Sequence, residues 1–195
     1  MHKLILQMQM SADGRVATQR PINWTLWGWG DHWPWDAALR ADFNATFARA
    51  SAILLSRAMA AEGYLDHWRG MAERHRGNAD YAFASRIGTL PKRVYGRTPV
   101  NGEWPNTRSA HGPLHEVIAR LKQDGDGDLL CFGGASFASA LAATGLIDEF
   151  QFYLNPSAIG PGSSPFDAMP HGKALTLLSS CAYACGIVVN RYAPA

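Results

Sequence analysis

A chain of 195 residues, 47% hydrophobic and 17% charged, is long enough to bury a core without disulfide staples and too apolar to be disordered. Eighteen basic against sixteen acidic side chains leave a formal net charge of +2, which supplies no broad field for a nucleic acid or a membrane surface. No apolar run is long enough to span a bilayer, and His2, Lys3, Gln7 and Gln9 break up the first ten residues as the centre of a secretory signal. The expectation is one folding unit over residues 1–195, cytoplasmic, with a small molecule as partner.

Leu4, Leu6, Met8 and Met10 on one face and Ile5 on the other predict a strand covered on both sides, turned by Ser11-Ala12-Asp13-Gly14. Five tryptophans follow between Trp24 and Trp35, interleaved with Gly, Pro and Asp, and read as a structured loop. Leu39, Phe43 and Phe47 carry helical spacing from Asp36 to Ala50, with Asp36 placed as a cap or first-turn anion. A strand over Ile53 to Ser56 comes next, then a helix from Ala58 to His75 that Gly63 and Gly70 interrupt.

Lys92 to Arg97 reads as a strand after Pro91, and Thr98 to Gly112 as turns with one short strand. Leu114, Val117, Ile118 and Leu121 mark a helix, with Pro113 in its first turn and Gly125 as its stop. Leu129 to Phe132 is a strand that runs through Gly133-Gly134 into a second helix, Ala135 to Thr144. Phe150, Phe152 and Leu154 alternate as in a strand, and two late strands, Leu175 to Cys181 and Ile187 to Tyr192, have no helix between them and so pair antiparallel. The pattern is α/β with a mixed sheet.

The strand, Gly-Gly turn and helix around residue 133 present backbone N–H groups that suit a pyrophosphate, although such a turn also packs a helix closely on a sheet. The tryptophan loop is either a lid held to the core or a wall for a flat heteroaromatic substrate. The basic strand end from Lys92 to Thr98 offers a guanidinium and a hydroxyl to a phosphate monoester. Asp124 to Asp128 lacks the glycine and glutamate of a calcium loop, the seven histidines show no metal-ligand spacing, and no Gly-x-Ser-x-Gly elbow occurs. No metal is expected. Cys131, Cys181 and Cys185 fit neither a ribbon nor a redox pair and are expected to be buried thiols.

Taken in order, Ser11-Ala12-Asp13-Gly14, Leu54-Leu55-Ser56-Arg57, Lys92 to Thr98, Gly133-Gly134-Ala135, Gly145 to Phe150, Ile159-Gly160-Pro161-Gly162 and Phe166 resemble the dihydrofolate-reductase-like superfamily. The closest group is the one named for the C-terminal reductase domain of the riboflavin-biosynthesis deaminase-reductase. The resemblance implies a central, mostly parallel sheet of about eight strands flanked by helices, an antiparallel C-terminal pair, and NADPH across the strand ends. It implies Gly133, Gly134, Ala135, Ser136 and Phe137 at the pyrophosphate and adjoining sugar. Ser56, Arg57, Arg97 and Thr98 would face the adenosine phosphates, with Arg97 at the 2′-phosphate. Ser11, Asp13 and Gly14 would border nicotinamide and substrate.

Two departures stand out. The family's Gly-Arg followed by threonine is here Ser56-Arg57-Ala58-Met59, and the first-helix carboxylate of dihydrofolate reductases falls in register at Arg40.

The expected activity is transfer of hydride from NADPH to a C=N or C=O bond of a small, pterin- or pyrimidine-like molecule, with Asp13, Asp31 or Asp36 supplying or relaying the proton and Asp13 favoured by its place beside the end of the first strand. Trp24, Trp27, Trp33, Tyr64 and Trp68 are expected on the substrate wall. The alternative is a non-catalytic module of the same fold that binds NADPH or another ligand. A homodimer is expected from the resemblance, with contact near Gly145 to Asn155.

Overall fold

The computed structural model describes residues 1–18, 35–99 and 104–195. Its frame is an eight-stranded sheet in the order β5-β4-β3-β6-β1-β7-β10-β9. These strands are β1 (Lys3–Ser11), β3 (Ala50–Ser56), β4 (Lys92–Tyr95), β5 (Thr107–Ala110), β6 (Asp128–Phe132), β7 (Glu149–Asn155), β9 (Leu175–Ala182) and β10 (Val188–Pro194). β5 through β7 in that order run parallel, and β10 runs against the other seven strands, antiparallel to both β7 and β9. Two residues each of β2 (Ala17–Thr18) and β8 (Gly162–Ser163) make a second, small antiparallel sheet.

Strand alternation splits the core in two. Ile5, Ile53, Leu55, Leu130, Phe132 and Tyr153 face α1 (Ala37–Arg49), α3 (Tyr64–Arg74) and α4 (Ala82–Thr89). Leu4, Leu6, Leu54, Cys131, Phe150 and Phe152 face α5 (Leu114–Gln123) and α6 (Ala135–Ala143). Strands buried on both faces read as continuous apolar runs, and β3 and β6 do so. Parallel pairing brings the carboxyl ends of β1, β3, β4, β6 and β7 to one edge of the sheet, where ligands of open α/β sheets bind.

The helix expected over Ala58 to His75 is two helices. α2 (Arg57–Ala61) ends at a turn in which Gly63 adopts φ +90°, a conformation that favours glycine, and α3 begins at Tyr64. Gly70 stays inside α3. Pro113 sits at the N-cap of α5 instead of its first turn. α4 was not anticipated.

Of the three cysteines only Cys131 is a buried thiol; Cys181 is exposed and Cys185 half-buried, because both lie on the edge hairpin of β9 and β10. β7, in the stretch Gly145 to Asn155 where a dimer contact is expected, is an interior strand paired with β1 and β10, so it offers no free edge to a partner copy. Among the described residues no helix is long and apolar enough to cross a membrane.

Candidate functional site

The carboxyl edge is organised by two local constructions. In the first, β1 ends at Ser11 and the chain turns through Gly14 at φ +78°. The Asp13 carboxylate accepts the Ser11 hydroxyl (2.5 Å) and the amides of Gly160 (2.7 Å) and Ile159 (3.2 Å). Ala12 N donates to Ser157 O (2.7 Å), and β2 pairs with β8 where the Ala17 carbonyl leaves no room for a Cβ on Gly162. The turn after β1 and the loop after β7 are thereby sewn into one unit.

The second construction is the start of α6. Phe132 ends β6, and the two glycines after it do different work. A Cβ on Gly133 would stand 2.5 Å from the Phe137 ring, so close helix packing demands glycine there. Gly134, by contrast, has φ −66° and ψ 167°, which any residue adopts, and a Cβ on it would meet nothing within 4 Å. It is the N-cap of α6 and no side chain caps the helix, so the first-turn amides of Ala135, Ser136 and Phe137 have no intrahelical acceptor. Beside them lies a cavity of about 280 Å³ lined by Ala135, Ser136, Ser139, Ser163, Asp167 and Ala168. The Phe137 ring stacks on Tyr95 at 5.5 Å, a bridge of two rings toward the end of β4, where Arg97 and Thr98 are exposed.

A nucleotide diphosphate fits this edge. Backbone donors at a helix start attract an anion, Gly134 leaves space for close approach, and Arg97, two residues beyond the end of β4, is exposed. The Asp167 carboxylate on the cavity wall is already engaged by the Ser164 amide (2.9 Å).

Other expected site residues take different places. Ser56 is the N-cap of α2, its hydroxyl accepting from Met59 N (3.2 Å). Arg57 packs against Gly96, where a Cβ would stand 2.7 Å from its own, and its guanidinium lies 5.8 Å from the Trp104 ring. Lys92 is buried, with Nζ donating to the carbonyls of Gly88 (2.8 Å) and Leu90 (3.0 Å) at the end of α4, so it offers nothing to a phosphate.

Asp36 is the N-cap of α1 and also receives the Cys185 amide (3.0 Å). The Leu39 amide, then the Cys185 contacts, hold its carboxyl below the usual range. The Ser11 hydroxyl, aided by the Ile159 and Gly160 amides, does the same for Asp13. A carboxylate held ionised is a poor proton donor near neutral pH.

Tyr64 and Trp68 are 2% and 3% exposed, packed on Phe132 and Phe83 in the aromatic core, so they are core side chains and not a substrate wall. Trp24, Trp27, Asp31 and Trp33 lie outside the described residues. Trp35, the last of the tryptophan series, is buried and stacks on Tyr153 at 5.7 Å. Sequence reading missed Ser139, Ser163 and Asp167 on the cavity wall, which carry no motif and meet only through the fold. Among the described residues no cluster of His, Cys, Asp and Glu is arranged to hold a metal ion.

The fold is shared with proteins of known structure. It superposes on a putative riboflavin biosynthesis protein from Shewanella sp. PV-4 with a TM-score of 0.67 at 18% identity, covering 99% of both chains. It also superposes on a dihydrofolate reductase from Enterococcus faecalis complexed with NADP(H), with a TM-score of 0.57 at 13% identity, covering 98% of this chain and 96% of that one. The uncharacterized protein YyaP of Bacillus subtilis strain 168 is 27% identical over 73 residues, a match that spans 37% of this chain and 39% of that protein. Residues 2–189 match the family model of the RibD C-terminal domain, and the chain therefore belongs to the RibD C-terminal domain family.

Proposed function

We propose that the chain is an NADPH-dependent reductase that passes hydride to a C=N or C=O bond of a small pyrimidine- or pterin-like heteroaromatic molecule. The observation that carries the reading is Gly134: neither its backbone angles nor its surroundings require glycine, and it opens onto uncapped amides at the start of α6. A ligand phosphate accounts for that vacant approach, and the E. faecalis dihydrofolate reductase of the same fold was solved with NADP(H).

Gly134, Ala135 and Ser136 hold the diphosphate, Phe137 supports the adjoining sugar, and Arg97 with Thr98 receives the 2′-phosphate, a charge-assisted contact that distinguishes NADPH from NADH. The bound nicotinamide supplies the hydride. Ser11, Asp13 and Gly14 set the position of the β1 end beside it, since Asp13 ties that turn to Ile159 and Gly160. Asp13 and Asp36 are both held ionised, so neither is suited to donate the proton near neutral pH.

That same occupancy of both candidate acids favours a second reading, a nucleotide-binding module without turnover. Tryptophan emission during titration with NADPH and with NADH tests the binding claim. NADPH is expected to bind the tighter, and Arg97→Ala to cost about tenfold for NADPH and little for NADH. No response to either nucleotide would sink the proposal. Oxidation of bound NADPH across a panel of pterins and aminopyrimidines separates the reductase from the silent module.

A further inference from the structure

The loop between β8 and β9 carries a turn that faces two ways. Three hydrogen bonds set its shape: Ser164 N donates to the Asp167 carboxylate (2.9 Å), Met169 N to Phe166 O (3.0 Å), and Ala168 N to Ser139 Oγ on α6 (2.5 Å). Asp167 and Ala168 line the cavity beside the first turn of α6. Phe166 and Met169 wall a second cavity, of about 290 Å³, which the nucleotide reading does not use.

This second cavity lies toward the other end of the helix. Ala142 lines it and Ser136 lines the first, two positions ~9 Å apart along α6. Its floor is the sheet and the turn that precedes β7: Ile147 and Phe150 are each 3% exposed, and the Phe166 ring lies 5.7 Å from that of Phe150. Leu175, the first residue of β9, completes the apolar wall with Met169. Apolar side chains ordinarily pack to the density of an organic crystal, and a hollow close to the lower end of the about 300–1,000 Å³ of small-molecule sites departs from that rule.

Charge supplies the other half of the occupant. The ionisable lining residues are His171 and Lys173, both exposed and therefore at the mouth, and among the described residues no carboxylate lines the wall. The acid nearest in sequence, Asp148, is engaged by Lys122 Nζ (2.6 Å) and the Leu4 amide (2.7 Å). The carbonyl end of α6 carries partial negative charge and meets the cavity at Ala142 and Gly145, so an anion is disfavoured there and favoured at Lys173. An apolar body and a negative head thus have separate places.

We infer that the cavity is a second ligand site, for a small amphipathic organic acid whose apolar body lies against Phe150, Phe166 and Met169 and whose carboxylate pairs with Lys173. The inference goes beyond the reductase reading and does not depend on it, because the turn at 166–169 stands between the two cavities.

Octanoate is the probe, and methyl-labelled methionine observed by NMR on the whole chain is the reporter. The Met169 signal, identified by its loss in Met169→Leu, is expected to shift and saturate with a Kd of about 1 mM or tighter. Met59 and Met71, packed on the opposite face of the sheet, are expected to stay in place. Octylammonium has the same apolar body with the opposite charge and is expected to bind about fivefold more weakly, an order that Lys173→Glu reverses. Ala142→Phe puts a ring into the hollow and is expected to weaken octanoate at least tenfold, with circular dichroism unchanged.

A Met169 signal that ignores octanoate, equal shifts at Met59 and Met71, or no preference between the two charges would each overturn the inference. So would a Met169 shift driven by protein concentration alone, which would mean that a second copy of the chain covers the hollow. NADPH is expected not to displace octanoate, and displacement would merge the two cavities and overturn the inference too. The wild-type arm needs no variant, and the nucleotide reading stands or falls by its own titration.

Discussion

Gly133 and Gly134 adjoin in sequence and look like a single motif, yet they answer to different physical demands. The first is fixed by packing, because a methyl group there would overlap the Phe137 ring. Gly133→Ala should therefore destabilise the fold by about 1–3 kcal/mol, read as a lower urea midpoint. The second is free of packing demands. Gly134→Asp supplies a favoured N-cap side chain, and the chain should fold at least as stably as the wild type. The same carboxylate would occupy the approach to the first-turn amides and repel a phosphate, so NADPH affinity should fall by about tenfold or more. A stable Gly134→Asp protein that still binds NADPH as the wild type does would show that the anion goes elsewhere.

Elements whose signal is local were legible. The stripe of α5 (Val117, Ile118, Leu121) and the passage from β6 through the glycines into α6 lie where periodicity and turn chemistry placed them. β2 and β8 were not readable, being two residues each and some 145 residues apart in the chain, so that no local pattern announces their pairing. α4 was overlooked because its apolar residues, Phe83, Ala84 and Ile87, follow a polar run with no side-chain cap at its start. The error at Tyr64 and Trp68 was avoidable: with Leu65 and Met71 they form the buried stripe of an amphipathic helix, a spacing that points to core.

The clip between the β1 turn and the loop after β7 is likewise an element-scale device, and its key carboxylate was taken for an acid. Asp13→Asn keeps one acceptor but loses the charge that three donors share. Nucleotide affinity should weaken about 3- to 10-fold as the loop loosens. If the variant turns over substrate, its pH–rate profile should keep the wild-type shape through neutrality, because a carboxyl held below 3.8 has no limb there. Loss of a limb near neutral pH would restore Asp13 as the proton donor.

For the molecule as a whole, the pH dependence of stability in the alkaline range follows from groups that the sheet and helices have buried together. Lys92 is 2% exposed, and desolvation pulls its ammonium from 10.5 down to about 8. Between those values the unfolded chain carries a proton that the folded chain has released, so this lysine makes stability rise with pH across the window. The penalty is complete below about pH 8 and gone above about 10.5. Burial raises Cys131, Tyr64 and Tyr153 above their ordinary values, so the unfolded chain ionises first and stability falls above about pH 9. The two tendencies oppose each other in the wild type, and a single stability curve hides both. Lys92→Met removes only the first. The difference in unfolding free energy, wild type minus variant, should therefore climb by roughly 1–3 kcal/mol from about pH 7.5 to about 10.5. Urea titrations of both proteins over that range provide it, and a flat difference would mean that the Lys92 ammonium, held by the carbonyls of Gly88 and Leu90, keeps its ordinary proton affinity after all.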